Sequence, residues 1–204
     1  MGFYSKYILP RYLNLTMRSK SFEQDRNDAA SNASGQTLEI GFGSGFNLPY
    51  YKNVQKLFAL DISKELFDLA QGKVQSASFP IEFIQASAEQ IPLPDNSCDS
   101  VISTWSLCSI PHPETALKEI RRVLKPGGIF SFVEHGKSDK PFIAKIQNLC
   151  TPISKKLIGG CHMNRDIESL ILSAGFTMQK IEKSTSGTKP LSYTYKGIAI
   201  PGSK

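Results

Sequence analysis

The chain has 204 residues, of which 40% are hydrophobic and 21% charged, and its formal net charge at pH 7 is +6. This length suits one domain with a complete hydrophobic core, and the composition excludes an intrinsically disordered chain. No apolar run approaches the roughly 20 residues that a membrane helix needs, and the first residues lack the uninterrupted apolar segment of a signal peptide. We therefore expect a single cytoplasmic domain over residues 1–204.

The cysteines and the basic residues exclude further classes of protein. Cys98, Cys108, Cys150 and Cys161 form no CxxC pair and have no zinc-finger spacing with the three histidines, which indicates a reducing compartment and predicts no metal site. The Lys and Arg residues are spread along the chain without a block of five or six. They predict a solvated basic surface and no nucleic-acid partner.

Residues 1–26 form an N-terminal arm that is rich in aromatic and aliphatic side chains. Apolar residues such as Tyr7 and Leu15 are interspersed with basic residues such as Arg11. Three interpretations are open: a helix whose apolar stripe packs on the domain, a lid over a bound ligand, or a surface that contacts a membrane. A polar stretch, residues 27–36, then separates the arm from the first predicted strand.

Short β-rich runs alternate with helical patterns over residues 37–136, and we expect this segment to form the binding core. The predicted strands are 37–41, 56–61, 81–86, 99–104 and 129–134. A helix over 63–75 begins at Ser63, and a helix over 113–124 is ended by Pro126-Gly127-Gly128. This alternation predicts an α/β fold in which a doubly wound, mostly parallel sheet has helices on both faces.

The chain changes character after residue 136. Residues 137–175 are predicted to form a helical insertion. Its first helix covers 141–158, and its second is capped by Asn164 and ended by Gly175.

Residues 176–204 are predicted to form the last two strands, 177–184 and 192–200, joined by a turn-rich link. Consecutive strands joined in this way are antiparallel neighbours. The complete sheet therefore has seven strands, of which the C-terminal pair is antiparallel.

The stretch TLEIGFGSG, residues 37–45, joins a predicted strand to a loop with three glycines. Glycine lacks the Cβ that would block a ligand, and the first strand-to-helix turn of an open α/β sheet faces the ligand. A dinucleotide loop would need its third glycine one residue later, and a Walker A loop would need Gly-Lys-Ser/Thr, but Gly45 is followed by Phe46-Asn47. Neither a pyrophosphate loop nor an ATPase loop is indicated.

Asp61 ends the second predicted strand, 20 residues after Gly41. An acidic side chain at this place in such a fold accepts hydrogen bonds from both hydroxyls of a ribose. The alternative is a charge at, or a cap of, the following helix N-terminus. Together with the glycine loop, Asp61 favours a nucleoside-containing ligand.

Several segments together resemble the class I S-adenosylmethionine-dependent methyltransferases of the type 11 family. They are LEIGFGSG, ALD at 59–61, ASAEQIPLPDNSCDSVIST at 86–104 and LKEIRRVLKPGGIFSFVEHG at 117–136. A narrower resemblance is to the branch that contains alkyl thiol methyltransferases, and it rests on LEIGFGSGFNLPYY, SLCSIPHP, FVEHG, GGCHMNRD and YTYKGIAI. The resemblance implies a Rossmann-like fold and S-adenosyl-L-methionine as the cofactor.

The resemblance also implies which residues hold the methionine end of the cofactor. Glu39 matches the acidic residue that anchors the amino group, and Gly41, Gly43 and Gly45 match the loop against which the methionine portion lies. Thr104 matches the end of the fourth strand beneath the reactive sulfonium.

A second set of residues is implied for the adenosine end. Asp61 matches the ribose ligand, and Ile62 matches the residue packed beside the adenine. Ser87 and Ala88 match the segment that meets the adenine edge. Many relatives carry Asp where this chain has Ser87, and a serine hydroxyl is the weaker acceptor for the exocyclic amine.

Methyl transfer from a sulfonium is an in-line displacement that requires position, exclusion of water and a deprotonated or neutral nucleophile. A thiol acceptor is helped by a base, because the thiolate is the reactive form. His135, just past the fifth strand, is the first candidate base, and His162 with Cys161 is the second. The alternative for each is a structural role in a loop or at a helix entry.

The acceptor is expected to be a small lipophilic molecule, and the narrower resemblance favours a thiol. A quinone, a lipid or another small molecule is the alternative, and a protein that binds the cofactor without catalysis is a further one. A nucleic-acid methyltransferase is disfavoured, because Ser103-Thr104-Trp105-Ser106 stands where such enzymes have an Asn/Asp-Pro-Pro-aromatic stretch. The sequence carries no signal of the oligomeric state.

Overall fold

The computed structural model describes residues 4–185 and 193–202, and its centre is one seven-stranded sheet. The strands are β1 (Ser34–Ile40), β2 (Asn53–Asp61), β3 (Ile81–Gln85), β4 (Cys98–Thr104), β5 (Leu124–His135), β6 (Phe176–Thr185) and β7 (Tyr193–Pro201). Their order in the sheet is β3-β2-β1-β4-β5-β7-β6. β1 to β5 are parallel, whereas β7 is antiparallel to both β5 and β6. The predicted sheet, including its antiparallel C-terminal pair, is confirmed; the link predicted between β6 and β7 lies outside the described residues.

Seven α-helices accompany the sheet in the described part of the chain. They are α1 (Leu9–Met17), α2 (Glu23–Ala30), α3 (Lys64–Asp68), α4 (Gln71–Gln75), α5 (Pro113–Val123), α6 (Pro141–Leu157) and α7 (Ile167–Ser173). Shorter helical turns lie at Tyr4–Ile8, Lys20–Phe22 and Leu48–Tyr50. None of the described helices is long and apolar enough to cross a membrane.

Two hydrophobic clusters cover the two faces of the sheet. In β2, Phe58 and Leu60 belong to the cluster that includes α5 and α7, whereas Leu57 and Ala59 belong to the cluster that includes α2. This division follows from the strand geometry, because successive side chains point to opposite faces. Helices therefore cover both faces, as the alternating pattern predicts.

The predicted helix over 63–75 is interrupted in the structure. Ser63 caps α3, because its Oγ accepts a hydrogen bond of 3.2 Å from the Leu66 N–H. The chain then makes a bond from the Ala70 N–H to the Phe67 carbonyl, with the three-residue spacing of a 3₁₀ turn, before α4 begins. Ala70 is fully buried there, and its Cβ lies 3.2 Å from where a Cβ on Gly45 would stand. The predicted helix is therefore interrupted at the residue that packs against the glycine loop.

The cap predicted for the last helix is wrong. Asp166 is the N-cap of α7, and its Oδ1 accepts a hydrogen bond of 3.1 Å from the Ser169 N–H. Asn164 instead donates to Asn148 Oδ1 on α6. The end of the helix agrees with the prediction, because Gly175 follows α7 with φ of +83°.

Part of the polar stretch predicted to separate arm and sheet is helical. α2 has no broad apolar stripe and buries only Ala29, Ala30 and Arg26. Its docking is polar as well: Ser131 on β5 donates a hydrogen bond of 3.0 Å to the Ala29 carbonyl. Helix prediction from apolar periodicity misses such a segment.

Candidate functional site

A pocket of about 600 Å³ opens at the carboxyl ends of β1, β2, β4 and β5. Nearly all of the residues that the sequence predicts for the cofactor line it: Glu39, Gly41, Gly43, Asp61, Ile62, Ser87, Ala88 and Thr104. Gly45 lies behind the wall of the pocket, packed against Leu48, Phe42 and Ala70. The volume is in the usual range for a pocket that holds a small-molecule ligand.

The glycine loop has the conformation that its sequence requires. Gly41, Gly43 and Gly45 have φ of +66°, +58° and +70°, which residues with a Cβ rarely adopt. A Cβ on Gly41 would lie 2.0 Å from the Ser106 Oγ, so this glycine also permits the close approach of the loop after β4. A Cβ on Gly43 would lie 3.8 Å from the nearest neighbouring heavy atom, the Gly41 carbonyl oxygen, so there is space beside this residue.

Asp61 joins the glycine loop to the end of β2. Its Oδ2 accepts a hydrogen bond of 2.7 Å from the Gly43 N–H, and its Oδ1 accepts one of 2.8 Å from the Ser63 N–H. Burial raises the pKa of Asp61, and these two backbone bonds lower it. Each carboxylate oxygen retains a lone pair, so the side chain can fix the loop and still accept from hydroxyls of a ligand.

Glu39 is the buried carboxyl group of the pocket, with 1% of its surface exposed. Its Oε1 accepts a hydrogen bond of 2.8 Å from Asn47 Nδ2, and its Oε2 accepts one of 2.7 Å from the Tyr51 hydroxyl. Burial outweighs these bonds and raises the pKa of Glu39 to about 8. Asn47 Oδ1 is buried without a hydrogen-bond partner among the described residues. An acceptor without a partner beside a carboxylate fits a cationic amino group of a ligand.

Trp105 is a functional candidate that sequence reasoning missed. It follows Thr104 directly and has φ of +52°, a strained conformation for a bulky residue. Its indole Nε1 is buried without a hydrogen-bond partner in the described part of the chain, and its ring lies 6.4 Å from the His135 ring. A strained backbone and an unsatisfied donor on a pocket wall indicate a binding role.

Arg26 on α2 is the second residue of the pocket that sequence reasoning missed. It is buried, its Nη2 donates a hydrogen bond of 2.8 Å to the Met17 carbonyl, and its guanidinium lies over the rings of Phe46 and Trp105. Burial lowers its pKa. The arm therefore contributes a cation to the pocket, which its spacing in the sequence does not reveal.

The residues expected at the adenine lie along one side of the pocket. Ile62 is 61% exposed, and Ala88 is buried. The Ser87 Oγ already accepts a hydrogen bond of 3.2 Å from the Glu89 N–H. A hydroxyl oxygen has two lone pairs, so one remains for a ligand.

A cluster of two thiols and an imidazole forms another part of the wall. Cys108 follows β4, His135 ends β5, Cys161 lies between α6 and α7, and all three line the pocket. The two sulfurs are 3.6 Å apart, and one ligating atom from each residue lies within 4.8 Å of the others. The hydrogen bond between the thiols lowers the pKa of Cys161, with a smaller contribution from His135. The same bond, together with burial, raises the pKa of Cys108. Cys161 is therefore the more readily ionised thiol.

His162, the second predicted base, is placed differently. It does not line the pocket, and its Nδ1 lies 2.9 Å from the Gly160 carbonyl and 3.2 Å from the Cys108 carbonyl. Its backbone N–H donates a hydrogen bond of 2.8 Å to the same Cys108 carbonyl. The contacts of His162 fix the backbone of Cys108.

Glu134 organises the loop after β4 from below the pocket. It is fully buried, and its Oε1 accepts hydrogen bonds from Ser103 Oγ at 2.7 Å and from the Ser106 N–H at 3.1 Å. Burial raises its pKa. The sequence places Glu134 beside His135 but does not show that its side chain turns to the neighbouring strand.

The arm and the end of α6 meet over the pocket. Leu9 and Leu13 of α1 line the pocket together with Ile158 and Gly159, and the Tyr4 hydroxyl donates a hydrogen bond of 2.9 Å to the Leu157 carbonyl. These contacts place an apolar roof above the polar floor formed by the strand ends.

Comparison with known proteins identifies the family that shares this architecture. Residues 38–132 match the family model described as a methyltransferase domain. The chain is 34% identical over 150 residues to thiol S-methyltransferase TMT1B of Rattus norvegicus, and this match covers 71% of the chain but only 61% of the rat protein. It is 30% identical over 207 residues to the Homo sapiens TMT1B, covering 98% of the chain and 83% of the human protein.

A relative with another acceptor and a solved structure complete the comparison. The chain is 30% identical over 136 residues to phosphatidylethanolamine N-methyltransferase of Cereibacter sphaeroides, covering 66% of each protein. Its fold is similar to that of the YcgJ protein of Bacillus subtilis, with a TM-score of 0.69 at 16% identity, covering 90% of this chain and 99% of that one. At this identity the structural similarity supports the fold alone.

Proposed function

Because the chain belongs to the methyltransferase-domain family of S-adenosylmethionine-dependent methyltransferases, we propose that it transfers a methyl group to the sulfur of a small lipophilic thiol. The observation that carries this proposal is the arrangement of one pocket. Glu39 and Asp61 lie at its floor, and His135 lies on its wall beneath an apolar roof. The thiol S-methyltransferases among the relatives support the choice of sulfur as the acceptor atom.

The residues present fit the cofactor. We assign the Glu39 carboxylate and the Asn47 Oδ1, which has no partner in the described part of the chain, to its ammonium group, and Asp61 to its ribose hydroxyls. Ile62, Ser87 and the residues around them would hold the adenine. When bound, the cofactor supplies a methyl group on a sulfonium sulfur, which is already a good leaving group.

The chain's own groups would then orient the acceptor, exclude water and take a proton. The roof formed by Leu9, Leu13 and Ile158 excludes water, which favours a displacement that needs a desolvated nucleophile. His135 is assigned as the base that accepts the thiol proton, because the thiolate is the reactive form. We assign His162 a positioning role through Cys108, since its ring is already in contact with two carbonyl oxygens.

The exposed surface of α1 and α6, the two helices beside the roof, carries apolar side chains, and these support a lipophilic acceptor. Leu15 of α1 and Phe142 and Leu149 of α6 are each more than 70% exposed. Neither helix contains an acidic residue, while Arg11, Lys145, Lys155 and Lys156 add positive charge. We propose that this surface contacts an anionic lipid surface from which the acceptor enters. Sedimentation with anionic vesicles, but not with zwitterionic ones, would support this contact, and no sedimentation with either would refute it.

A lipid or a quinone is the second candidate acceptor. The same apolar surface favours it, and one relative is a phosphatidylethanolamine N-methyltransferase. A lipid amine is protonated near neutral pH and must also lose a proton before it attacks, so this acceptor would need a base as well.

The experiment combines binding with transfer. The protein and an Asp61→Ala variant are titrated with S-adenosylmethionine by calorimetry, and radiolabelled methyl transfer is then measured to alkyl thiols, quinols and phospholipid amines. We expect binding that the variant weakens, with label on the thiols. Label on quinols or lipids alone would replace the thiol assignment, and binding without transfer to any acceptor would indicate a protein that binds the cofactor without catalysis.

A further inference from the structure

We propose that Cys108, His135 and Cys161 bind one zinc ion on the wall of the pocket, with a fourth coordination position left for the acceptor thiolate. The role of the ion in transfer rests on the proposed function, whereas its binding does not. The spacing of cysteines and histidines along the sequence predicts no metal site, because the three ligands are far apart in the chain and only the fold brings them together.

The distances suit a tetrahedral ion. Two sulfurs that bind one zinc ion at about 2.3 Å in tetrahedral geometry are roughly 3.8 Å apart. The Cys108 and Cys161 sulfurs are 3.6 Å apart, and a ligating atom of His135 lies within 4.8 Å of both. A disulfide would need a separation of about 2.05 Å, so the two cysteines are free thiols, and their spacing is close to that of a chelating pair.

The backbone holds two of the ligands in place before any ion arrives. The Cys108 N–H donates to Glu134 Oε2 at 3.4 Å, and the Cys108 carbonyl accepts from the His162 N–H at 2.8 Å. The Cys161 N–H donates to the Ile158 carbonyl at 3.1 Å. His135 is the last residue of β5, an interior strand of the sheet that is paired on both sides. Such positioning lowers the cost of assembling a metal site.

The ligand set also matches zinc chemistry. Two thiolates and one imidazole, with one position open, form a known type of catalytic zinc site. Cys108 and Cys161 are both buried, so ionising both without a counterion is costly, and a divalent cation would neutralise the pair. The fourth position would face the pocket, because all three residues line it.

The ion would activate the acceptor without changing oxidation state. The Cys108 and Cys161 thiols release their protons to solvent when zinc binds, and the acceptor thiol releases its own as its sulfur takes the fourth position. In this form His135 is a ligand and not the base. A bond forms between the acceptor sulfur and the methyl carbon while the bond from that carbon to the cofactor sulfur breaks. The products are a neutral thioether, a weaker ligand that leaves, and S-adenosylhomocysteine.

The binding test uses the reduced full chain after removal of metal. Zn²⁺ is titrated in competition with a chromophoric chelator, and Co²⁺ is added separately to record its absorption spectrum. We expect one ion per chain and a thiolate-to-cobalt charge-transfer band. Cys108→Ser and Cys161→Ser should each weaken zinc binding by more than about 10-fold, since the loss of even an outer-shell partner costs that much. Cys150 is a half-buried cysteine of α6 outside the pocket, so Cys150→Ser is the matched control. It should change neither the zinc affinity nor the cobalt spectrum.

Folding and function are separated by two further readouts. Calorimetric binding of S-adenosylmethionine to each variant shows that it is folded. His135→Cys supplies a zinc ligand but no imidazole base, whereas His135→Gln supplies neither. Zinc binding and thiol methylation that the Cys variant retains and the Gln variant loses would support the ion.

Three results would overturn parts of the proposal. Absence of stoichiometric binding, or binding that both Ser variants retain, refutes the site. Equal thiol methylation by metal-free and zinc-loaded protein refutes the role of the ion in transfer. Zinc binding without methylation of any thiol refutes the proposed function and leaves the site intact.

Discussion

The Gly43 N–H donates a hydrogen bond of 2.7 Å to Asp61 Oδ2, and this bond joins the glycine loop to the end of the neighbouring strand. The residue assigned to the ribose therefore also holds the loop assigned to the methionine portion. Loss of the Asp61 side chain is expected to affect both ends of the cofactor site.

The first prediction concerns Asp61→Ala. It leaves the Gly43 and Ser63 N–H groups without their partner, and an unsatisfied buried donor costs about 1–3 kcal/mol. We expect S-adenosylmethionine affinity to fall by more than about tenfold, which is 1.4 kcal/mol, together with a loss of unfolding free energy. Calorimetry and urea unfolding measure the two effects. Asp68→Ala on the exposed surface of α3 is the control, and equal losses in both variants would contradict the assignment.

The second prediction concerns Glu39 and pH. Its pKa in the ligand-free protein is about 8, above the ordinary 4.5, so the folded state binds more protons than the unfolded state between these values. The contribution of Glu39 to stability is thus complete at low pH and is lost as the pH rises through this window. Unfolding measured from pH 5 to pH 8 should show a steeper decline in the native protein than in Glu39→Gln.

The same group links cofactor binding to protons. An ammonium group favours the ionised carboxylate, so binding should release a proton below pH 8, and affinity should rise by up to about tenfold per pH unit. Calorimetry in buffers of different ionisation enthalpy counts the protons. The control is Glu82→Gln on the exposed edge strand, in which the affinity should still rise with pH. If the affinity of Glu39→Gln also rose with pH, the role of Glu39 would be contradicted.

The third prediction separates two costs in the glycine loop. Gly41→Ala combines a positive φ with a Cβ only 2.0 Å from the Ser106 Oγ, whereas Gly127→Ala has a φ of +80° in open space. The left-handed conformation alone costs about 1–2 kcal/mol, so Gly127→Ala should lose that amount and Gly41→Ala clearly more. Gly72→Ala, in α4 with nothing near its Cβ, should gain about 0.5–1 kcal/mol. Urea unfolding of the three variants gives the ranking, and an equal loss at Gly41 and Gly127 would show that the clash relaxes.

The fourth prediction concerns the indole N–H of Trp105. Trp105→Phe removes this donor and keeps an aromatic ring, so we expect little change in stability but ligand affinity that falls by about 5- to 10-fold, the worth of one hydrogen bond. Trp105 is the chain's single tryptophan, so the intrinsic fluorescence of the native protein reports on the pocket directly. Trp105 would be removed from the site by two results together: the ligand leaves the fluorescence of the native protein unchanged, and the Phe variant binds the ligand with unchanged affinity.

Much of this protein is determined by its sequence alone. Alternating apolar runs and helical stripes predicted the sheet, and the glycines predicted a loop that a ligand can approach; Gly41 and Gly43 line the pocket. Asp61 ends β2 and lines the pocket, as its position in the sequence predicted. These features depend on local patterns, because strand period, turn chemistry and the strand-to-helix loop are encoded by neighbouring residues.

The tertiary structure decided the rest. Arg26 enters the pocket from a helix without an apolar stripe, and Trp105, with its positive φ, lies on the pocket wall in the loop after β4. Cys108, His135 and Cys161 come from three separate elements, and their approach to within 4.8 Å follows only from the order of the strands and the return of the chain after α6. Contacts between distant segments leave no periodic pattern, so their geometry becomes visible only when the sheet is assembled.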